Sequence, residues 1–252
     1  MKRHLNEFLD AISNPAYRFV DLLKIQYLKV AKKPVSIKPK DLRHPVRLRS
    51  WLEFKILRSI VERGSYNFKK RVFAPTTILD AGANLGFSAV YFASRYPSAQ
   101  ICAVEAQRDN FEQLQRHCEP YSNITCLHAA LSSEPGELYI ADNKARLDAF
   151  QVTAATTDGG EPVQAVTVSS VMEQMGWSAI SLLKMDIEGS EHDVFGSNYE
   201  TWLEKVAVFA IEVHDSKDLQ ASKAVFAALA ELPDGYRLRP RGENLIVENL
   251  AF

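Results

Sequence analysis

Ile78-Leu79-Asp80-Ala81-Gly82-Ala83-Asn84-Leu85-Gly86 begins apolar, meets a carboxylate and two spaced glycines, and runs into the helical pattern of Leu85 to Arg95. Thr77 to Asp80 reads as a buried strand, so the order is strand, glycine turn, helix. Such a turn lets a nucleotide-type ligand approach the backbone closely. Gly82 and Gly86 remove side-chain bulk. Asn84 stands where a dinucleotide-binding turn prefers glycine, yet asparagine tolerates left-handed backbone angles and its amide can reach a ligand. Ala83 in the turn, Phe87 at the start of the helix and Ala106 after the next strand are counted with the cofactor-binding residues. Glu105, followed by Ala106, ends the next strand about 20 residues on, where a carboxylate can accept both hydroxyls of an adenosine ribose.

Outward from this turn, apolar strands alternate with periodic helices, the sign of βαβ units on a parallel sheet. Ala99 to Glu105 is the second strand, followed by a helix that the spacing starts with Asp109 as N-cap and Glu112 three residues on. Ile124 to Leu131, Ser181 to Asp186 and Val206 to Val213 supply three more strands, the last nearly all apolar, as a strand covered on both faces should be. A late helix carries Ala221, Ala224, Val225, Ala228, Leu229 and Leu232, and a hairpin of Tyr236 to Pro240 and Asn244 to Glu248 closes the sheet with an antiparallel edge. The fold class is α/β, a Rossmann-like sheet, mostly parallel. Asp142 to Glu161 has poor periodicity and reads as a mobile loop, a lid over the substrate or plain disorder.

Residues 1–45 read as a basic helical extension and linker, ahead of one catalytic domain over 46–252. Ala16 to Lys33 repeats apolar residues at helical spacing, with Phe19, Leu22, Leu23, Tyr27 and Val30 on one side and basic residues interleaved. Lys32 to Pro45 has three prolines and many charges, which is linker chemistry. The net charge of -1 hides an asymmetry: residues 1–75 hold 18 Lys+Arg against 6 Asp+Glu, and the rest hold 12 against 25. The basic front suits an anionic partner such as acidic lipid or a phosphorylated substrate, or it docks on the acidic core of its own chain or a second subunit. Contact with an anionic membrane surface, where a lipid-linked glycan is presented, is one expectation, and a homo-oligomer is the other. No nucleic-acid partner is expected.

With 46% hydrophobic and 24% charged residues, the composition excludes a disordered or fibrous chain. Cys102, Cys118 and Cys126 have neither zinc-site spacing nor the even count of a disulfide framework, which suits a reducing cytoplasm. No apolar run approaches the roughly 20 residues that span a bilayer, and Met1 to Asn14 lacks a signal-peptide pattern. A cytoplasmic protein, peripheral at the inner membrane face if the helix touches lipid, is the expectation.

Both NAD and S-adenosylmethionine carry adenosine, so charge has to separate them. Asp80 at the turn repels a pyrophosphate and suits an ammonium group, which favours S-adenosylmethionine. ILDAGANLGFSAVYFA, AVEAQRDNFEQLQRHC and above all LLKMDIEGSEHDVF resemble the FkbM-type family of S-adenosylmethionine-dependent methyltransferases, over about Leu42 to Val247. The resemblance implies a seven-stranded sheet and O-methylation of a sugar, glycan or secondary metabolite. It implies Asp80, Gly82, Asn84 and Gly86 as the cofactor turn and Glu105 as the ribose ligand. Two positions depart from the family pattern: Ser169-Ser170 replaces an acidic residue, and the acid expected after Arg49 appears only as Glu53.

Methyl transfer to a hydroxyl needs alignment and a base to remove the proton. Ligands lie beyond the carboxyl ends of the strands, where Asp186 and Glu188 follow the fourth strand and Glu212 and His214 the fifth. His214 is the preferred base by its intrinsic pKa. The alternative is that His214 caps the next helix or orients Glu212 while Asp186 or Glu188 is the base. Asp186 also falls where it can touch the cofactor. Lys184 shares a strand face with Asp186 and reads as the buried partner of a carboxylate. No resident metal is expected, because no second Asp/Asn pair accompanies Asp186. The rival functions are an NAD-dependent oxidoreductase and a non-catalytic module that uses the fold to bind a partner.

Overall fold

A computed structural model describes residues 16–62, 65–66, 74–140, 152–153, 160–216 and 218–252. Met1 to Asn14, Gly64, and residues 142–151 and 154–159 of the expected mobile loop lie outside the described residues.

The central sheet has seven strands: β3 (Thr77–Ala81), β4 (Gln100–Glu105), β5 (Ile124–His128), β10 (Ile180–Met185), β11 (Val206–Glu212), β12 (Tyr236–Arg241) and β13 (Asn244–Asn249). Their order is β12-β13-β11-β10-β3-β4-β5. β11, β10, β3, β4 and β5 pair in parallel, whereas β13 is antiparallel to both β11 and β12. The antiparallel strand is therefore one place in from the edge, and the edge strand β12 runs with the parallel set. This differs from the simple antiparallel edge that the hairpin suggested. The short turn at Gly242 fixes the hairpin, but only packing decides which of its strands meets β11. The apolar partner wins: Val247 of β13 is fully buried opposite Phe209, while β12 carries exposed arginines.

Helices α3 (Phe87–Arg95) and α4 (Arg108–Cys118) follow β3 and β4, and α7 (Ala221–Leu229) follows β11. The N-cap of α4 is Gln107, whose side chain accepts from the Asn110 amide, so Asp109 falls in the first turn rather than at the cap. The expected third strand divides at Ala129: β5 stays in the central sheet, and β6 (Ala130–Leu131) joins a second sheet of order β6-β9-β7-β8. That sheet adds β7 (Gly136–Ile140), β8 (Val152–Thr153) and β9 (Glu161–Val166). Glu161, the end of the expected loop, is the first residue of β9, whose Val163 and Ala165 are buried.

The front of the chain packs on the core. Helix α1 (Phe19–Ala31) is followed by β1 (Val35–Ile37), which pairs antiparallel with β2 (Val46–Leu48) ahead of α2 (Trp51–Val61). Ile37 and Leu42, inside the expected linker, belong to the same hydrophobic cluster as Leu57, Phe92 and Ile101. Pro34 and Pro39 flank β1 and Pro45 precedes β2 without interrupting either strand, and burial of Ile37 outweighs the linker-like composition. Arg47 N donates to His117 Nε2 at 3.1 Å, and Arg43 N donates to Ser94 Oγ at 2.9 Å. The two departures from the family pattern are structural here. Glu53 accepts from Arg49 N and Nε at 2.6 and 2.7 Å beside the α2 N-cap Ser50. Ser170 closes a capping box with Thr167 at the start of α5 (Val168–Met175).

Candidate functional site

At the carboxyl end of β3 the chain turns through Gly82 at φ 71°, Asn84 at φ 49° and Gly86 at φ 84°. These are left-handed angles, open to glycine and tolerated by asparagine. Gly82 is also fixed by contact, since a Cβ there would sit 1.8 Å from the Asp186 carbonyl oxygen. A Cβ on Gly86 would meet Leu114 Cδ1 at 2.8 Å, so that glycine serves the packing of α3 on α4.

Asn84 N donates to Glu105 Oε2 at 2.8 Å and Gln107 N to Oε1 at 2.9 Å. The ends of β3 and β4 are thereby tied through one carboxylate, which retains lone pairs for further donors. Burial pushes the Glu105 carboxyl up to about 7 against the pull of the Gln107 and Asn84 amides. Gly82, Asn84, Glu105, Ala106 and Asp186 line one cavity, together with Ile187 after the fourth strand and with Gln107, Asn110 and Leu131, which no sequence motif marks. Asn84 Oδ1 is buried without a partner, so the turn carries an unused acceptor.

Asp80 has another place than the one expected from charge. It is fully buried and lines neither cavity; it accepts from Ser88 Oγ at 2.6 Å and pairs with Lys184 Nζ at 3.2 Å. The register of β3 and β10 sets Lys184 beside Asp80. Lys184 also donates to the Gly82 and Ala81 carbonyls at 2.6 and 3.2 Å. Burial works against its charge, but Asp80 and then Asp186 outweigh it and raise the lysine pKa. Lys184 is thus the buried carboxylate partner that its strand position implied, and the Asp80 charge is spent on it rather than on selecting a ligand.

The second cavity, about 390 Å³, is lined by Ala83, Phe87, Tyr66, Glu212, His214 and Asn244 among others. It shares Gly82, Asn84, Asp186 and Glu188 with the first, so the two form one cleft across the strand ends. Glu188 at φ 58° and Gly189 at φ 107° reverse the chain after β10. A left-handed residue with a full side chain is uncommon, and such strain gathers at functional sites. The reversal brings Glu191, the first residue of α6 (Glu191–Gly196), beneath His214.

His214 Nδ1 lies 2.8 Å from Oε1 of the fully buried Glu191. A carboxylate only accepts, so Nδ1 donates to it and, in the neutral imidazole, Nε2 is the nitrogen left to accept a proton. Three carboxylates surround Nε2: Glu188 at 3.5 Å, Glu212 at 3.6 Å and Asp186 at 3.7 Å. Burial opposes a charge on His214, yet the Glu191 hydrogen bond and the nearby carboxylates outweigh it and lift the imidazole to about 8. Burial, then Asp186, pushes Glu212 up to about 7. His214, Asp186 and Glu188 are therefore brought together as expected from the strand ends. Glu212, expected at the same strand end, and Glu191, not singled out as a catalytic or binding residue, complete the cluster. The spacing Glu188-x-x-Glu191 was the available signal, but only the left-handed reversal shows which acid goes under the imidazole. Ligand atoms of Asp186, Glu212 and His214 lie within 4.8 Å of one another, a grouping able to hold a cation.

A family model described as the methyltransferase FkbM domain matches residues 80–238. Methyltransferase 1 of Beauveria bassiana (strain ARSEF 2860) is 29% identical over 187 residues, 62% of this chain and 74% of its own length. Methyltransferase sdnD of Sordaria araneosa is 29% identical over 159 residues, 50% of this chain and 61% of its own. The crystal structure of a methyltransferase FkbM from Methylobacillus flagellatus KT shares the fold at a TM-score of 0.50 and 18% identity, over 73% of this chain and 45% of that one. The chain thus spans less than two thirds of the latter two.

Proposed function

Because the chain belongs to the FkbM methyltransferase family, we propose that it moves a methyl group from S-adenosylmethionine to a hydroxyl of a sugar, glycan or secondary metabolite, with His214 taking the hydroxyl proton. The observation that carries this reading is the shared cleft: a turn with an unpartnered Asn84 oxygen and the Glu105 carboxylate on one side, and an imidazole locked by Glu191 on the other. Family membership decides against an oxidoreductase, which matters because Asp80 no longer separates the two cofactors.

These residues fit the cofactor. Glu105 would accept the ribose hydroxyls, Asn84 Oδ1 a further donor, and Leu131 and Ile187 would cover apolar ring surface. When bound, S-adenosylmethionine supplies an activated methyl for in-line displacement. The protein's part is to hold the acceptor in the second cavity, exclude water and place Nε2 of His214 at the reacting oxygen.

Calorimetry with S-adenosylhomocysteine tests the first half. Wild type is expected to bind, Gly82→Val to abolish binding and Glu105→Ala to weaken it at least about tenfold, by loss of charged hydrogen bonds. Ribose hydroxyls donate best to the ionised carboxylate, and Glu105 holds its proton up to about pH 7. Binding therefore releases a proton in acid, and affinity is expected to fall as pH drops below 7. A flat affinity from pH 5.5 to 8 would remove Glu105 from the ribose.

Chelation tests the second half. With Nε2 acting as base, turnover of an accepted substrate is expected to survive EDTA. Loss of turnover restored by Mg²⁺ would make Nε2 a metal ligand with Asp186 and Glu212, and would end its role as base.

A further inference from the structure

The sequence pattern gave α1 one apolar side made of Phe19, Leu22, Leu23, Tyr27 and Val30. In the fold only Leu22 of these is buried, and Asp21, Leu22, Ile25 and Leu28 form the inward face. Phe19, Val20, Leu23, Tyr27 and Val30 are exposed, with Phe19 at 66% and Val30 at 72%. At 3.6 residues per turn these five fall within an arc of roughly 100°, one continuous stripe. A soluble surface rarely displays several large apolar side chains side by side without a partner.

The chain around the stripe is predominantly basic. Residues 16–49 hold ten Lys+Arg against Asp21 and Asp41, and Asp21 is buried, where it accepts from the Lys38 amide at 3.1 Å. Arg18, Lys32, Lys33, Lys40, Arg43 and Arg47 are exposed. Docking of this front on its own core uses apolar side chains and backbone donors, as at Arg43 and Arg47. The side chains of Lys24, Lys29, Arg43 and Arg49 meet Ser36, Trp51, Tyr121 and Glu53, while those of Arg18, Lys32, Lys33, Lys40 and Arg47 face solvent. We propose that the outer face of α1 is a peripheral docking surface for an anionic lipid bilayer, its apolar stripe entering the interface and the flanking cations meeting the headgroups.

Charge selects this occupant over a second copy. A two-fold contact sets the same patch against itself, and here that would oppose two strongly basic surfaces. An anionic bilayer offers negative headgroups above an apolar layer, the same order in which the front presents cations around an apolar stripe. Among the described residues no helix is long and apolar enough to cross a membrane, so the contact is a surface one. Helix α1 packs on α2, and Ile56, Ser59 and Ile60 of α2 line the acceptor cavity. The docking surface itself is separate from the cofactor turn, and its test is independent of methyl transfer.

The test is co-sedimentation of the full chain with vesicles of phosphatidylcholine alone or with phosphatidylglycerol, at low and near-physiological salt. Wild type is expected to bind the anionic vesicles at least tenfold more strongly than the neutral ones, and more weakly as salt screens the headgroups. The triple variant Phe19→Ser, Leu23→Ser, Val30→Ser changes only exposed side chains. It is expected to lose vesicle binding while retaining S-adenosylhomocysteine affinity and melting temperature. Lys32→Glu with Lys33→Glu is expected to lose binding at near-physiological salt. Equal binding to both vesicles, no binding, or undiminished binding by the serine variant would overturn the proposal. Light scattering that shows a wild-type dimer and a monomeric serine variant would overturn it in favour of a second copy.

Discussion

Lys184→Met is expected to cost about 3–5 kcal/mol of folding stability, because it leaves Asp80 charged and fully buried with no cation beside it. For a domain of this size that corresponds to a fall of about 10 °C in melting temperature. The loss has a second component, since Lys184 also draws the Ala81 and Gly82 carbonyls together. The glycine turn should loosen, and S-adenosylhomocysteine affinity should fall with it. Adding Asp80→Asn to Lys184→Met removes the stranded charge while Ser88 Oγ can still donate to the amide oxygen. The double variant is therefore expected to melt above the single one. A single variant within about 1 kcal/mol of wild type by urea unfolding, or a double variant that simply adds a further loss, would refute the paired arrangement.

His214→Gln is expected to lower kcat by about 10²- to 10⁴-fold, the usual contribution of a positioned base. Cofactor affinity should hardly change, because His214 lines the acceptor side of the cleft and not the Glu105 side. In wild type kcat/KM should rise with pH through about 8, as the imidazole loses its proton and becomes able to accept one. Glu191→Gln removes the carboxylate that raises this value, so the rise should move toward lower pH. Stability follows the opposite sign. The folded-state pKa exceeds the ordinary 6.5, so the contribution of His214 is complete below 6.5 and is lost as pH rises through 8. The melting temperature of His214→Gln should accordingly lose that part of its pH dependence. A variant that keeps kcat within about threefold of wild type, with the pH profile intact, would exclude His214 as the base.

Much of this was legible in the chain because the patterns are local. Strand, turn and helix from Thr77 to Arg95 follow from apolar runs and glycine spacing, and Glu105 follows from its distance to the turn. His214, Asp186 and Glu188 could be grouped because parallel strands deliver their carboxyl ends to one side. Other readings failed where local patterns were ambiguous. Helix α1 is apolar on two faces, and periodicity cannot say which one meets the core. β7 and β9 mix polar with apolar residues (GELYI and EPVQAV) and lie on either side of the stretch 141–159, so neither made a strong pattern. Ala129 reads as mid-strand, yet it is there that the chain passes from one sheet to the other.

By itself, then, the sequence determined the strand-turn-helix at Asp80 to Gly86, the order of the parallel strands' elements and the family, all properties of residue type and spacing along the chain. Tertiary structure alone decided that Asp80 is held by Lys184 rather than turned to a ligand, since that depends on the register of β3 against β10. It alone placed Glu191 beneath His214, through the left-handed reversal at Glu188 and Gly189. It also left Phe19, Leu23, Tyr27 and Val30 outside. Burial and charge compensation are settled between elements distant in the chain, and they decide what each side chain is available to do.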